Sequence, residues 1–188
     1  MANDKKKVLI LTGPGGSGKT TMADLLVKRC GFIKVDGDRL DSEFFPEGRH
    51  WLPESSEKLR QAHDKVFIEV EKLFNQGRNN VVLDYIIFGH YLEFFEKFEK
   101  EFGNNLEIKV LFPTKEEMIK RDKERKCWTT GTLRIVAVRA EFEAIRDAVG
   151  RDNFIDTTGQ TPDDTFDKYF NHYSSCARGN KIKKCCGK

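Results

Sequence analysis

The stretch Leu9–Leu26, LILTGPGGSGKTTMADLL, decides how the rest of the chain is read. Gly13, Gly15 and Gly18 satisfy G-x-G-x-x-G, the dinucleotide fingerprint, while Gly13, Gly18, Lys19 and Thr20 satisfy G-x-x-x-x-G-K-[ST], the nucleoside-triphosphate loop. Both patterns need glycine, because backbone N–H groups must come close to phosphate oxygens at a helix N-terminus. The first even finds its acidic partner, since Asp36 lies 18 residues beyond Gly18. The run Gly18-Lys19-Thr20-Thr21 settles the matter. A lysine after the last glycine reaches the β- and γ-phosphates and the next hydroxyl ligates Mg²⁺, a pair for which a dinucleotide turn has no use. Gly13, Pro14, Gly15, Gly16, Ser17, Gly18, Lys19, Thr20 and Thr21 are therefore read as the binding loop for ATP or GTP, with Thr20 on Mg²⁺.

Outward from the loop, short apolar runs alternate with amphipathic segments. KVLILT ends at the glycines, and Thr20 to Cys30 reads as a helix stopped by Gly31. FIKVD, NVVLDYI, LEIKVLF and NFIDT read as four further strands. Helices are expected at Ser56 to Gln76, Tyr91 to Phe102, Thr114 to about Lys126, Thr132 to Val149 and across TPDDTFDKYFNHY. Thr114 and Glu117 form a capping-box pattern. Strict strand–helix alternation implies an α/β fold: a five-stranded parallel sheet in the order 2-3-1-4-5, with helices on both faces. Ligands in such sheets sit beyond the carboxyl ends of the strands.

At 188 residues, 38% hydrophobic and 34% charged, the chain suits one soluble globular domain. No apolar run approaches the roughly 20 residues of a membrane span. The N-terminus MANDKKK has no stretch of signal-peptide length, and the five cysteines read as reduced thiols, so a cytoplasmic protein is expected. The formal charge is +3, but CARGNKIKKCCGK at the C-terminus carries five Lys or Arg and no acid. Without those five the charge is −2, which argues against a broad duplex-binding face. The domain is set at residues 1–172 and a basic, cysteine-containing tail at 173–188. The tail is expected to be flexible, with a lipid-anchored role open; His172, Cys176, Cys185 and Cys186 match no standard zinc spacing.

The ordered elements GPGGSGKTT, VDGDR, VVLDY, KRDKER and IDTTGQTPDD, over about residues 7–172, resemble the kinases of the nucleoside-monophosphate-kinase-like fold. That group includes chloramphenicol phosphotransferase, adenylylsulfate kinase, gluconate kinase and the polynucleotide 5′-kinases. The resemblance implies transfer of the γ-phosphoryl group of ATP, with Mg²⁺, to a hydroxyl of a small molecule or nucleotide. It also implies a base at the end of the second strand, Asp36, with Arg39 binding acceptor or phosphate. Asp38 is the alternative base, or simply the cap of a short helix through RLDSEFF. Asp84 falls where these kinases carry an acid near Mg²⁺, and a structural ion pair is its alternative reading. Arg121 and Arg125 share a helix face in what the resemblance makes a lid, about residues 120–131, loosely held until nucleotide binds. The DTTGQTP loop with Thr158 lines the adenine in these relatives. Arg49, His50, Trp51, Arg60 and His63 wall the acceptor by position, but His63, on an otherwise apolar helix face, reads first as a buried or edge histidine, and Trp51 fits the core equally well. The fuller local signatures of adenylylsulfate and gluconate kinases are missing there. Two other activities stay open: a kinase acting on nucleic-acid 5′ ends, and a nucleotide switch without phosphotransfer. The second lacks an N-K-x-D guanine motif, since NKIK in the tail has no aspartate.

Overall fold

The computed structural model describes residues 7–47, 52–77, 80–87, 89–126 and 129–174. Five strands, β1 (Lys7–Thr12), β2 (Ile33–Asp36), β3 (Asn80–Asp84), β4 (Leu106–Leu111) and β5 (Phe154–Ile155), form one parallel sheet in the order β2-β3-β1-β4-β5. This is the expected topology. Central β1 is apolar from Val8 to Leu11 because it is covered on both faces. Val8 and Ile10 enter one core, while Leu9 and Leu11 enter the other. β3 divides in the same way, Val81 and Leu83 against Val82.

The helices are α1 (Lys19–Cys30), α2 (Gly37–Asp41), α3 (Ser56–Asn75), α4 (Tyr91–Phe102), α5 (Lys115–Lys123), α6 (Thr132–Ala144), α7 (Arg146–Val149) and α8 (Pro162–Tyr169). α1 and α8 cover one face through Met22, Leu26 and Phe166. On the other face α3 and α4 contribute an aromatic layer: Phe94, Phe98 and Phe102 follow one another at 4.7 and 5.5 Å, and Phe67 meets Phe98 edge-on at 5.2 Å.

Several boundaries differ from expectation, each for a local reason. α5 stops at Lys123 rather than near Lys126, because the Asp122 side chain draws the chain back at Thr130 and Gly131. The Thr114 box is half formed: its hydroxyl accepts from the Glu117 N–H, but the Glu117 carboxylate turns to Arg121. The complete box lies instead at Thr161 and Asp164, opening α8. The expected helix over 132–149 breaks at Ile145 into α6 and α7, which leaves both Ile145 and Val149 packed on the core. The tail does not begin at 173. Tyr173 is buried, packs edge-on against Phe32 at 5.1 Å and bonds Glu107, so it belongs to the domain. The remaining tail, with Cys176, Cys185 and Cys186, lies outside the described residues, as do Arg49, His50 and Trp51. No helix among the described residues is long and apolar enough to cross a membrane.

Candidate active site

β1 hands the chain to α1 through the glycine loop, so the loop stands at the carboxyl edge of the sheet. Gly18 caps α1 in a left-handed conformation, φ 96°, with no side chain taking the first helical N–H groups. Helix-start donors left without a side-chain cap are what an anion site requires. A cavity of about 350 Å³ opens there, lined by the loop from Gly16 to Met22, by Arg121 and Arg125, and by Thr157 and Gln160. Gly13, Pro14 and Gly15 are not in its lining. Gly13 lies against the Leu111 carbonyl, and a Cβ on it would come within 2.4 Å of that oxygen. The Leu111 carbonyl at the end of β4 thus leaves room only for glycine there, as the Met118 carbonyl of α5 does at Gly16.

Lys19 is 5% exposed. Burial pulls its ammonium below the usual lysine value, with the nearby Arg125 charge acting the same way. Asp38, Asp84 and Asp36 oppose this, in falling order of effect. The three acids converge because β2 and β3 pair in register, Asp36 beside Asp84, and α2 begins directly after β2.

Their environments differ. Asp36 is exposed and caps α2 by accepting the Arg39 N–H at 3.0 Å. The cap is therefore Asp36 and not Asp38, as sequence position had suggested, because Asp36 holds the extended conformation that an N-cap requires. Asp38 is half-buried and accepts the Ile86 N–H at 3.0 Å. Desolvation lifts it to about 6 against the pull of Lys19 and that N–H. Asp84 is 4% exposed, and burial raises it despite Lys19 and a hydrogen bond from Thr20. One of its oxygens, Oδ1, is buried without a hydrogen-bond partner. Behind them Asp41, 2% exposed, accepts from the Tyr85 hydroxyl at 3.1 Å, and burial with the Asp38 charge carries it to about 7. Arg39 itself is exposed.

Thr20 and Asp84 fit a divalent cation. A buried carboxylate oxygen with no partner beside a helix-start hydroxyl is a ready ligand pair for Mg²⁺, which takes one or two protein groups and completes its shell with phosphates and water. Among the described residues there is no cluster of three or more His, Cys, Asp or Glu able to hold a metal alone.

Arg121 and Arg125 do not act as one pair. Arg121 donates to Glu117 at 2.8 Å, to the Thr157 hydroxyl at 3.2 Å, and to the Thr157 and Gln160 carbonyls at 2.8 and 3.3 Å. It builds the cavity wall by holding the 157–160 loop. Arg125 lies on the cavity beside Lys19, 3.5 Å from Asp122. Thr158 turns away from the cavity: its hydroxyl bonds Asp156 at 2.5 Å and accepts the Thr114 N–H at 2.8 Å. Thr157, one residue earlier, takes the wall position.

Among the residues expected at the acceptor, Arg60 is committed to Glu93 through two bonds of 3.0 and 3.2 Å. His63 is 5% exposed, edge-on to Phe94 at 4.9 Å and to Tyr85 at 5.8 Å. Burial takes it down to about 4 and its Nε2 has no partner, so it is a neutral core histidine. Sequence reasoning missed Asp41, Tyr85, Asp122, Thr130 and Thr157. Only Asp41 carried a readable signal, standing three residues after Asp38 on one helix face.

A glycine loop between β1 and α1 of a 2-3-1-4-5 parallel sheet defines a P-loop nucleotide-binding fold. The family described as an AAA domain matches residues 9–132, and the chain belongs to it. A curated relative from Pyrococcus abyssi, named "Probable adenylyl-sulfate kinase", is 32% identical over 117 residues, which is 60% of this chain and 63% of that protein. The chain thus spans less than two thirds of that relative. Two solved kinases share the fold. A sugar kinase from Janibacter sp. HTCC2649 superposes with TM-score 0.67 at 15% identity, covering 92% of this chain and 98% of the other. Shikimate kinase from Acinetobacter baumannii superposes with TM-score 0.61 at 21% identity, covering 97% and 98%.

Proposed function

We propose that the protein transfers the γ-phosphoryl group of ATP to a hydroxyl of a small molecule or nucleotide. One observation carries the reading: Lys19 is buried, lines the glycine-loop cavity, and has the charges of Asp38, Asp84 and Asp36, none of which lines that cavity, close enough to act on it. A protein that only binds nucleotide needs the loop and an acid for the cation. It has no use for further carboxylates across the lysine, where an attacking hydroxyl would stand. Phosphoryl transfer needs that arrangement, because positioning and charge stabilisation do most of the work and a base takes the acceptor proton.

In this reading Lys19 and Arg125 hold the transferring phosphate, and the amides of Gly16 to Thr20 hold the chain behind it. Thr20 and Asp84 would hold Mg²⁺, which would neutralise part of the charge on the nucleotide's phosphates. Asp38 is the base. The Ile86 N–H fixes one of its oxygens, and its raised pKa leaves it ionised yet more basic than an ordinary aspartate. Asp36 serves α2 as its cap, and Arg39 extends into solvent beside it, where it can grip an anionic acceptor.

ADP release in the presence of Mg²⁺ and ATP, measured over a panel of candidate acceptors, tests the reading. The panel holds sugars and sugar acids, shikimate, adenylyl sulfate, nucleosides, antibiotics and short oligonucleotides with 5′-hydroxyl ends. GTP in place of ATP fixes the donor. Stimulation by at least one acceptor is expected. The VDGDR run, which resembles that of the polynucleotide 5′-kinases, makes the oligonucleotide arm the second reading. Tight nucleotide binding with no stimulated release by any acceptor would turn the assignment towards a binding protein.

A further inference from the structure

Asp122 is out of place as a surface acid. It sits in the last turn of α5, where the helix dipole disfavours negative charge and the neighbours are Lys120, Arg121 and Lys123. It is nevertheless 3% exposed, and both its oxygens are used. Oδ1 accepts the Thr130 N–H at 2.9 Å and Oδ2 accepts the Gly131 N–H at 3.0 Å. Desolvation works against its charge, but these two N–H groups, the Thr130 side chain and Arg125 prevail and hold the carboxyl below the usual aspartate value. A buried, ionised carboxylate satisfied by backbone donors fixes those donors in space.

What it fixes is Thr130, and Thr130 lies on the phosphate loop. A Cβ at Gly15 would come within 2.3 Å of the Thr130 hydroxyl oxygen and 2.8 Å of its Cβ. The loop motif leaves position 15 open to any residue, and Gly15 is not among the positive-φ glycines of the chain. Its lack of a side chain is therefore explained by the approach of Thr130 and not by its own backbone. Asp122, Thr130 and Gly15 form a chain of contact from the end of α5 to the middle of the loop.

We propose that Asp122 is a positioning residue of the donor site: by gathering the Thr130 and Gly131 amides it sets Thr130 on Gly15 and fixes the shape of the phosphate loop before nucleotide arrives. The proposal rests on the reading of the loop as the donor site. At the end of the segment expected to form a lid, the amides of Thr130 and Gly131 are held by Asp122.

Four variants test it: Asp122→Asn, Gly15→Ala, their combination, and Gly15→Ala with Thr130→Gly. Each is measured for affinity towards Mg²⁺ with a non-hydrolysable ATP analogue, for amide exchange over Gly13 to Gly18 without nucleotide, and for thermal unfolding. Asp122→Asn is expected to weaken analogue binding about tenfold or more and to speed loop exchange, because an amide nitrogen cannot accept the second N–H. Gly15→Ala is expected to do the same, and combining the two should add little, since they act on one contact. Thr130→Gly should restore much of the affinity lost in Gly15→Ala by removing the collision. A lower melting temperature in Asp122→Asn with unchanged affinity and loop exchange would make Asp122 a fold residue only and overturn the proposal. If Asp122→Asn does not fold, the Gly15 and Thr130 rescue decides alone, and failure to rescue overturns it. If the wild type does not bind the analogue, the donor-site reading fails first. Loop exchange in Asp122→Asn, measured without nucleotide, then still decides the brace.

Discussion

The two sides of Lys19 are built from different materials. On the cavity side the chain offers backbone: helix-start amides, glycines pressed against carbonyls, and an arginine, Arg121, spent on holding a neighbouring loop. Away from the cavity lining it offers carboxylates, graded by burial from exposed Asp36 through Asp38 to buried Asp84 and Asp41. Backbone donors recognise phosphate whatever is attached to it, so the cavity side can be shared widely among P-loop proteins. Graded acids need a particular surrounding, here burial, the Ile86 N–H and the Tyr85 hydroxyl. The difference teaches where to look for chemistry: in side chains whose environment sets them apart from one another.

The largest effect should come from the residue both sides share. Lys19→Met is expected to cut acceptor-stimulated ADP release by at least about 10³-fold, since it removes the charge facing the transferring phosphate. The same change leaves Asp38 and Asp84 without their cation, so both carboxyls should titrate at higher pH, which carbon-13 NMR of labelled aspartate can follow. Near-normal turnover in this variant would dissolve the comparison altogether.

Next comes the order of the acids. Asp38→Asn should lower turnover by about 10²–10⁴ while nucleotide affinity barely moves. Asp36→Ala should instead cost about 1 kcal/mol of stability, the worth of a helix cap, with turnover much less affected. If Asp36 proves the costlier loss in turnover, the base returns to the strand end and Asp38 becomes its support.

A smaller effect is expected with pH. An acid that must be ionised to act and is raised to about 6 gives activity that is full above pH 7 and falls about tenfold per unit below pH 6. Stability should move the other way. Asp38 and Asp41, at about 6 and 7, bind protons in the folded state that an unfolded aspartate has released, so their share of stability is lost as pH rises from about 4 to 8. Asp41→Asn should flatten that part of the melting-temperature profile relative to wild type. An unchanged profile would mean that Asp41 is ionised in its pocket with Tyr85.

The least effect tests a residue that lies on the acid side but takes no part in it. His63→Phe keeps an aromatic ring against Phe94 and Tyr85 and removes a buried nitrogen with no partner. Stability should rise by about 1 kcal/mol, read by chemical denaturation, with turnover unchanged. A loss of turnover would bring His63 into the acceptor site.

The sequence by itself determined the alternation of strand and helix, the sheet order and the loop that holds a phosphate chain. These rest on local periodicity and on a motif whose residues are neighbours in the chain. It also marked Asp36 and Asp84 as strand-end acids, with Asp38 two residues beyond the first, because a carboxylate closing a largely apolar strand is conspicuous. It ranked Asp36 ahead of Asp38 as base from nearness to the strand end, whereas burial and the Ile86 N–H favour Asp38. Burial and partners set a carboxyl's behaviour, and both arrive from elsewhere: Ile86 reaches Asp38 across 48 positions, and Tyr85 reaches Asp41 across 44. Arg121 and Arg125 looked alike at helical spacing and both line the cavity, yet Arg121 is bonded to Thr157 and Gln160 whereas Arg125 lies near Asp122 and Lys19. The brace from Asp122 to Gly15 was equally hidden, since it joins residues more than 100 positions apart through a contact that no periodicity records. Local pattern is written in the chain, but the electrostatics of a site belong to whatever the fold packs around it.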